Sequence, residues 1–331
     1  QALELPFNVD GQDVVLSASI GITIGDAACT ASSMMREADL AMYKAKTAGR
    51  AQWALYEAGM RTAADEYLEL ENDLRRALGK HQFRLVYQPV IELQTNLIVG
   101  FEALIRWDHP THGVIQPASF IPIAEANGTI IPIGNWVLEE ACRTAVEWRK
   151  MFPDRRLTMA VNLSVRQIAT PAIVANVARA LEQSGLEPSR LVLEMTESVL
   201  VHDAVVAAKR LADLRSLGVR LAIDDFGTGY SSLSYLRQFP IDILKIDKSF
   251  TDTITDESPT PPIVRGLLDL AKTLRLETIA EGIELDIQRD SLRDQHCDFA
   301  QGFLFAKPME LAEASAMIAD TTTQVPVLAA D

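Results

Sequence analysis

From residue 83 onward, a series of short apolar runs ends in polar or ionisable residues. These are Glu102, Asn162, Glu194, Asp224, Asp225, Lys245, Glu281 and Gln301. Five of them are carboxylates, and carboxylates that lie close together do not all stay ionised unless a cation is present. Their oxygens and the Asn162 amide are hard ligands, which suit Mg²⁺ or Mn²⁺ better than zinc or copper.

More than four such ligands leave room for two metal ions about 3.5–4 Å apart, an arrangement that supports in-line displacement at a phosphodiester. Lys245 adds a cation that would hold a phosphate oxygen or a nucleophilic water. The residue types alone therefore predict a metal-assisted phosphoester hydrolase. The alternative is ordinary: a polar residue after a strand often caps a helix or sits in a turn. Seven coincidences on successive strands are harder to attribute to capping.

The elements that must position these residues alternate between β-like runs and amphipathic helices. The runs are 83–89, 97–105, 157–163, 190–195, 219–223, 243–246, 277–280 and 298–305, and the helices 132–150, 174–184, 203–217, 231–239, 262–274 and 285–292. Such alternation implies a parallel sheet, and eight strands over about 240 residues suit a closed barrel. Because residues 92–96 are too few for a helical crossover, the first two strands should pair antiparallel.

The predicted fold class is therefore α/β, a TIM-like (β/α)8 barrel with one antiparallel strand, whose strand ends converge on one mouth. We place the barrel at residues 81–315, after a connecting helix at 61–80 and before a flexible tail at 316–331. Residues 1–60 form a small α+β fragment, with strands expected at 14–24 and 52–56 and a helix at 34–48. This fragment is too small to bury a core by itself.

The net charge of −14 over 331 residues argues against broad binding to polymeric nucleic acid or to an anionic membrane surface. No apolar run approaches the roughly 18–20 residues of a membrane span, and the first residues lack a secretory signal. The chain begins without Met, which suggests a cut from a longer protein that could carry an anchor upstream. Cys29, Cys142 and Cys297 suit neither a disulfide framework nor a zinc site, so a cytoplasmic location is the simplest expectation.

The same residues carry a resemblance to the EAL domain, a bacterial phosphodiesterase that opens cyclic di-GMP to linear pGpG. In order, the matching motifs are Tyr87-Gln88-Pro89, Glu102-Ala103-Leu104 with Arg106, Asn162-Leu163-Ser164, Glu194-Met195-Thr196-Glu197, Asp224-Asp225-Phe226-Gly227-Thr228-Gly229, Lys245-Ile246-Asp247, Glu281-Gly282-Ile283-Glu284 and Gln301-Gly302-Phe303. A lone Glu-Ala-Leu is uninformative, but the ordered set, over about residues 68–312, is very specific.

The resemblance implies a role for each residue. Glu102, Asn162, Glu194 and Asp224 would hold one metal ion, Asp225 with Glu281 or Glu284 would serve a second ion or the attacking water, and Gln88, Leu104, Arg106 and Gln301 would contact substrate. Lys245 would position the water, and Glu281 would act as general base or as a metal ligand. Glu197 would hold the loop at 225–232. A homodimer through the barrel is also implied.

Residues 1–60 resemble the final third of a GGDEF domain, the diguanylate cyclase fold. The matching stretches are Ser19-Ile20-Gly21-Ile22, Ala38-Asp39 and Met42-Tyr43-Lys44-Ala45-Lys46 with Gly49-Arg50. The GGDEF signature is absent from this chain, so we expect no cyclase activity from it. Lys44 and Lys46 resemble phosphate ligands, but solvated helix residues are the simpler interpretation.

Three alternatives to a cyclic di-GMP phosphodiesterase remain at this stage. A receptor would bind the nucleotide without cleaving it, although the intact ligand set argues against this. An interaction domain of a larger regulatory protein is compatible with the enzyme. A barrel hydrolase for another phosphodiester is opposed only by Arg106 and Gln301.

Overall fold

The computed structural model describes residues 7–9, 12–14, 17–25, 29–47, 51–57, 59–200, 204–227, 238–258 and 260–320. The chain divides into two compact units, Gln1–Arg75 and Arg76–Asp331. In the part of the chain described, no helix is long and apolar enough to cross a membrane.

Among its described residues, the first unit contains two small sheets and two helices. Strands β1 (Phe7–Val9) and β2 (Gln12–Val14) pair antiparallel, and β3 (Ile20–Ile22) pairs parallel with β4 (Trp53–Leu55). Helix α1 is Ala31–Thr47 and α2 is Met60–Ala77, so the unit boundary falls inside α2. The prediction of one continuous strand over residues 14–24 is wrong in extent. Val14 ends β2, Ile20–Ile22 form β3, and residues 17–19 and 23–24 are not in a strand.

The second unit is a closed barrel. Its strands are β5 (Phe83–Glu92), β6 (Leu97–His109), β8 (Thr158–Asn162), β9 (Leu191–Thr196), β10 (Arg220–Phe226), β11 (Ile243–Ile246), β12 (Glu277–Ala280) and β13 (Phe299–Ala300), with β7 (Gly113–Ile115) attached to the outer part of β6. β5 pairs antiparallel with both β6 and β13, which closes the ring, and the remaining barrel pairs are parallel. The predicted barrel with one antiparallel strand is confirmed.

Helices connect the parallel strands, and one more follows the last strand. They are α3 (Pro117–Asn127), α4 (Ile130–Met151), α5 (Val165–Ala169), α6 (Ile173–Ser184), α7 (Ala204–Ser216), α8 (Lys248–Thr251), α9 (Pro262–Leu274), α10 (Asp286–Asp294) and α11 (Leu311–Asp320), with short 3-10 turns at Pro188–Arg190 and Glu197–Leu200. Most of the helix predicted at 231–239 lies outside the described residues. Because α11 runs to Asp320, the boundary predicted at residue 315 falls inside a helix, and residues 321–331 lie outside the described part.

The barrel interior explains why its strands have near-continuous apolar sequences. One layer of inward-facing residues comes from six different strands: Val90, Ala160, Val192, Ala222, Ile243 and Ile279. All four residues of β11 are buried, as expected for a strand that is covered by helices outside and by side chains inside. Lys245 is therefore a charged residue within a buried strand, which raises the question of what compensates its charge.

Candidate active site

Lys245 is surrounded by carboxylates. Its side chain is 1% exposed, and its Nζ lies 2.6 Å from Glu281 Oε1, 2.7 Å from Glu194 Oε2 and 3.3 Å from Asp224 Oδ1. Glu102 Oε2 is 3.9 Å away. Residues from β6, β9, β10 and the end of β12 thus converge on one ammonium group at the mouth of the barrel, as the sequence predicted.

Two amides orient Glu102. Asn162, the last residue of β8, donates its Nδ2 to Glu102 Oε1 at 2.6 Å, which leaves its amide oxygen available as a ligand. Gln301 donates its Nε2 to Glu102 Oε2 at 2.8 Å and to Gln88 Oε1 at 3.0 Å. Glu102 is opposite Gln88 in the antiparallel β5–β6 pair. It lies mid-strand rather than near the strand end, because β6 continues to His109 beyond its contact with β8.

The two consecutive aspartates are brought together by a backbone irregularity. Neighbouring residues of a regular strand point to opposite faces. The β10–β11 register shifts between Ile223 and Phe226, and Asp225 adopts a left-handed φ of 54°. A bulge of this kind redirects side chains. As a result, one oxygen from each of Asp224, Asp225 and Glu281 lies within 4.8 Å of the others.

Burial and neighbouring charges perturb the pKa values of these groups. Burial raises the pKa of Glu194 well above its usual value, although the Lys245 ammonium opposes this. Burial likewise raises the pKa of Glu281 to about 7. Burial alone would lower the pKa of Lys245, but Glu102 and Glu194 outweigh it and hold that pKa well above normal. Burial and the adjacent Asp224 charge raise the pKa of Asp225. The cluster holds more acid than one lysine neutralises, so it fits an added cation.

The donor set also fits such an ion chemically. The acidic residues around Lys245 offer carboxylate oxygens, and Asn162 adds an amide oxygen. Oxygen ligands of these kinds are the ones that Mg²⁺ and Mn²⁺ prefer. Glu284 is placed differently from its predicted neighbour Glu281. Its Oε1 lies 3.0 Å from Lys248 Nζ, and Glu284 is absent from the oxygen cluster of Asp224, Asp225 and Glu281.

The predicted loop anchor and substrate contacts lie around this centre. Glu197 is buried directly after β9, and its Oε2 accepts a hydrogen bond of 2.9 Å from the Gly227 amide. Of the loop predicted at 225–232, residues from 228 onward lie outside the described part. Arg106 is half-buried, and burial and Arg84, its cross-strand partner, lower its pKa. Leu104 lines a mainly apolar cavity of about 510 Å³ that Asn162 also borders.

One contact of the site was not expected from the sequence. Thr251, at the end of α8, is fully buried and donates its hydroxyl to the Glu281 carbonyl oxygen at 2.7 Å. Thirty residues separate the two positions, and a threonine at a helix end carries no sequence signal of such a role. The contact becomes visible only when neighbouring strands β11 and β12 bring the two loops together.

The fold and site define a class of protein: a (β/α)8 barrel with one antiparallel strand, whose mouth carries a cluster of carboxylates that suits a divalent cation. Residues 71–308 match the family model of the EAL domain, and residues 1–52 match the diguanylate cyclase GGDEF domain model. The chain therefore belongs to the EAL domain family.

Several known proteins are similar to this chain. The bifunctional diguanylate cyclase/cyclic di-GMP phosphodiesterase MucR of Pseudomonas aeruginosa is 42% identical over 316 residues, 95% of this chain and 46% of MucR. The cyclic di-GMP phosphodiesterase NbdA of the same organism is 38% identical over 94% of this chain and 40% of NbdA. The chain thus spans less than half the length of these relatives. A solved structure of the PaMucR phosphodiesterase in its c-di-GMP complex is 42% identical, with a TM-score of 0.70, and the match covers 74% of this chain and 99% of that one.

Proposed function

We propose that this chain hydrolyses cyclic di-GMP to linear pGpG and that the reaction requires Mg²⁺ or Mn²⁺, with two ions bound. The observation that carries this proposal is the convergence of Glu194, Asp224 and Glu281 on Lys245 inside the barrel mouth. The named activities of MucR and NbdA, and the c-di-GMP in the PaMucR complex, support the choice of substrate.

The residues that would hold the ions are those that the cluster brings together. Glu102, Asn162, Glu194 and Asp224 would hold one ion, and Asp225 with Glu281 would serve the second. Glu284 is a weaker candidate for the second ion because it pairs with Lys248. Bound metal would supply Lewis acidity toward the phosphate oxygens and would lower the pKa of the attacking water.

The protein's own groups would then orient the reactants and accept the proton. The Lys245 ammonium, fixed by three carboxylates, would hold the attacking water or a phosphate oxygen. The Arg106 guanidinium would pair with a phosphate. Glu281 would accept the proton of the water as the water oxygen bonds to phosphorus and the bridging P–O bond breaks, and the leaving oxygen would then take up a proton. A role as metal ligand remains the alternative for Glu281.

The decisive experiment is incubation of the protein with cyclic di-GMP and Mg²⁺, with pGpG followed by chromatography. Appearance of pGpG, and its loss when Ca²⁺ replaces Mg²⁺, is the expected result, because Ca²⁺ prefers more ligands and longer bonds. Binding without turnover would replace the enzyme with a receptor for the nucleotide. Turnover of an unrelated phosphodiester at a comparable rate would contradict the choice of substrate.

Two accompanying proposals concern the setting of the enzyme. We propose that the barrel forms a homodimer, as the family resemblance implies, which light scattering coupled to size-exclusion chromatography would test. We also propose a cytoplasmic location, supported by the buried thiols of Cys142 and Cys297, which form no disulfide. Fractionation of the full-length protein in its native cell would test it.

A further inference from the structure

Both peptide groups of Glu281 are held by residues of the preceding β-α segment. The Glu281 amide donates to the Ile246 carbonyl at 2.9 Å, as a continuation of the β11–β12 pairing. The Glu281 carbonyl accepts the 2.7 Å hydrogen bond from Thr251 Oγ1. The Lys248 carbonyl lies 3.0 Å from the same hydroxyl, but a hydroxyl has one proton and the Glu281 contact is shorter.

A buried glutamine extends this arrangement to the rest of the loop. Gln288, 3% exposed, donates its Nε2 to the Thr251 carbonyl at 3.2 Å. Its Oε1 accepts from the amides of Glu284 at 2.8 Å and Leu285 at 3.0 Å. Thr251 and Gln288 therefore tie together the two ends of the loop at 281–285.

Lys248 packs across the middle of the same loop. Gly282 has a φ of 66°, and a Cβ at that position would come within 2.4 Å of Lys248 Cγ. The Lys248 Nζ continues to Glu284 Oε1 at 3.0 Å. The aliphatic stem of a surface lysine thus covers a glycine next to Glu281, and the loop has little freedom to change its path.

We propose that Thr251 is a positioning residue for Glu281, an inference that rests on the proposed phosphodiesterase function. Its hydroxyl fixes the carbonyl side of Glu281 while β11 fixes the amide side, so that the Glu281 carboxylate faces Lys245, Asp224 and Asp225. Because Lys245 belongs to β11 and Thr251 ends the helix that follows it, one short segment sets both members of the 2.6 Å Lys245–Glu281 pair.

The test is Thr251→Val, which keeps the side-chain shape and removes the hydroxyl. We expect kcat for cyclic di-GMP to fall about 10- to 100-fold, the range found for groups that orient metal ligands, with KM within about twofold. Mn²⁺ binding, measured calorimetrically without substrate, should weaken by about tenfold. Thr251→Ser restores the hydroxyl and should recover kcat and Mn²⁺ affinity to within about threefold of the original protein.

The matched control is Thr144→Val. Thr144 is also fully buried, and its hydroxyl pairs with the Tyr87 hydroxyl at 2.9 Å. It should lose a similar amount of thermal stability but keep kcat and Mn²⁺ affinity. Should Thr251→Val not fold, Thr251→Ala carries the same expectation.

The proposal is overturned if Thr251→Val keeps the original kcat and Mn²⁺ affinity, or if Thr251→Ser is as impaired as Thr251→Val. The two hypotheses can fail separately. If the unmodified protein does not cleave cyclic di-GMP, the proposed function fails, whereas the Mn²⁺ affinities of the Thr251 variants still decide whether this hydroxyl positions Glu281.

Discussion

The two ends of the barrel contain the same kinds of charged residue in different arrangements. At the mouth, Lys245 faces four carboxylates and is 1% exposed. At the opposite end, where the parallel strands begin, two acids each pair with one arginine. Arg220 pairs with Glu277, and Arg215 Nη2 lies 2.9 Å from Asp242 Oδ1. The Arg220 side chain is 27% exposed.

The comparison shows what distinguishes a site from a structural ion pair. Carboxylates occur at both ends, so their presence alone is uninformative. At the strand-start end Glu277 and Asp242 each pair with an arginine of their own, and Asp298 accepts hydrogen bonds from the amide and hydroxyl of Thr278. At the mouth several acids face one buried lysine, and burial raises the pKa values of Glu194, Glu281 and Asp225. The excess of acidic groups over lysine fits a further cation.

The largest effect expected is on catalysis, from Glu102→Ala. Groups that only orient metal ligands already contribute about 10- to 100-fold, so loss of a proposed ligand should lower turnover of cyclic di-GMP by more than about a hundredfold at saturating Mg²⁺. The same substitution at the other end, Glu277→Ala, should leave turnover unchanged. A near-normal rate for Glu102→Ala would show that our assignment of the metal centre is wrong.

Lys245→Met should have the largest effect on stability. It leaves Glu194, which is 1% exposed, without its closest counter-charge, and breaking a buried pair from one side costs about 3–5 kcal/mol. Urea unfolding would measure this loss. Because metal would compensate the same carboxylates, Mg²⁺ should recover more stability in this variant than in the original protein. An identical response of both proteins to Mg²⁺ would argue against a metal at this cluster.

Glu197→Ala should have an intermediate effect. It removes the acceptor of the Gly227 amide, two residues after Asp225. We expect kcat to fall about tenfold, as for other groups that orient ligands, whereas Glu197→Gln, which retains an acceptor oxygen, should lose less. Glu187→Ala, an exposed acid before β9, is the control. Equal rates for Glu197→Ala and the control would remove the proposed anchoring role.

The smallest effect should come from Arg220→Met. The Arg220–Glu277 pair is partly exposed, and such pairs contribute about 0–1 kcal/mol. Urea unfolding should show a loss of no more than about 1 kcal/mol, independent of Mg²⁺. If Arg220→Met lost as much unfolding free energy as Lys245→Met, burial and shared partners would not explain the difference between the two ends of the barrel.

Much of this organisation could be read from local sequence patterns. Buried parallel strands need apolar residues on both faces, so their runs are recognisable. The link between the first two strands is too short for a helical crossover, which requires an antiparallel pair. Strand β7 and helices α3, α5, α8 and α11 are absent from the elements that the sequence predicted. β7 has three residues with a turn before it, and α3 has an apolar composition around Pro122 without clear helical periodicity.

The sequence by itself determined the barrel, its antiparallel strand and the polar positions at the strand ends, because these depend on short-range periodicity and on residue type. Only the tertiary structure decided how those residues divide the site. The left-handed backbone of Asp225 places two adjacent acids close to Glu281. Glu284 pairs with Lys248 instead of joining that cluster, and Thr251 donates a hydrogen bond to the Glu281 carbonyl, 30 residues away. These outcomes depend on backbone dihedrals and on contacts between distant loops, which no local pattern of residues encodes.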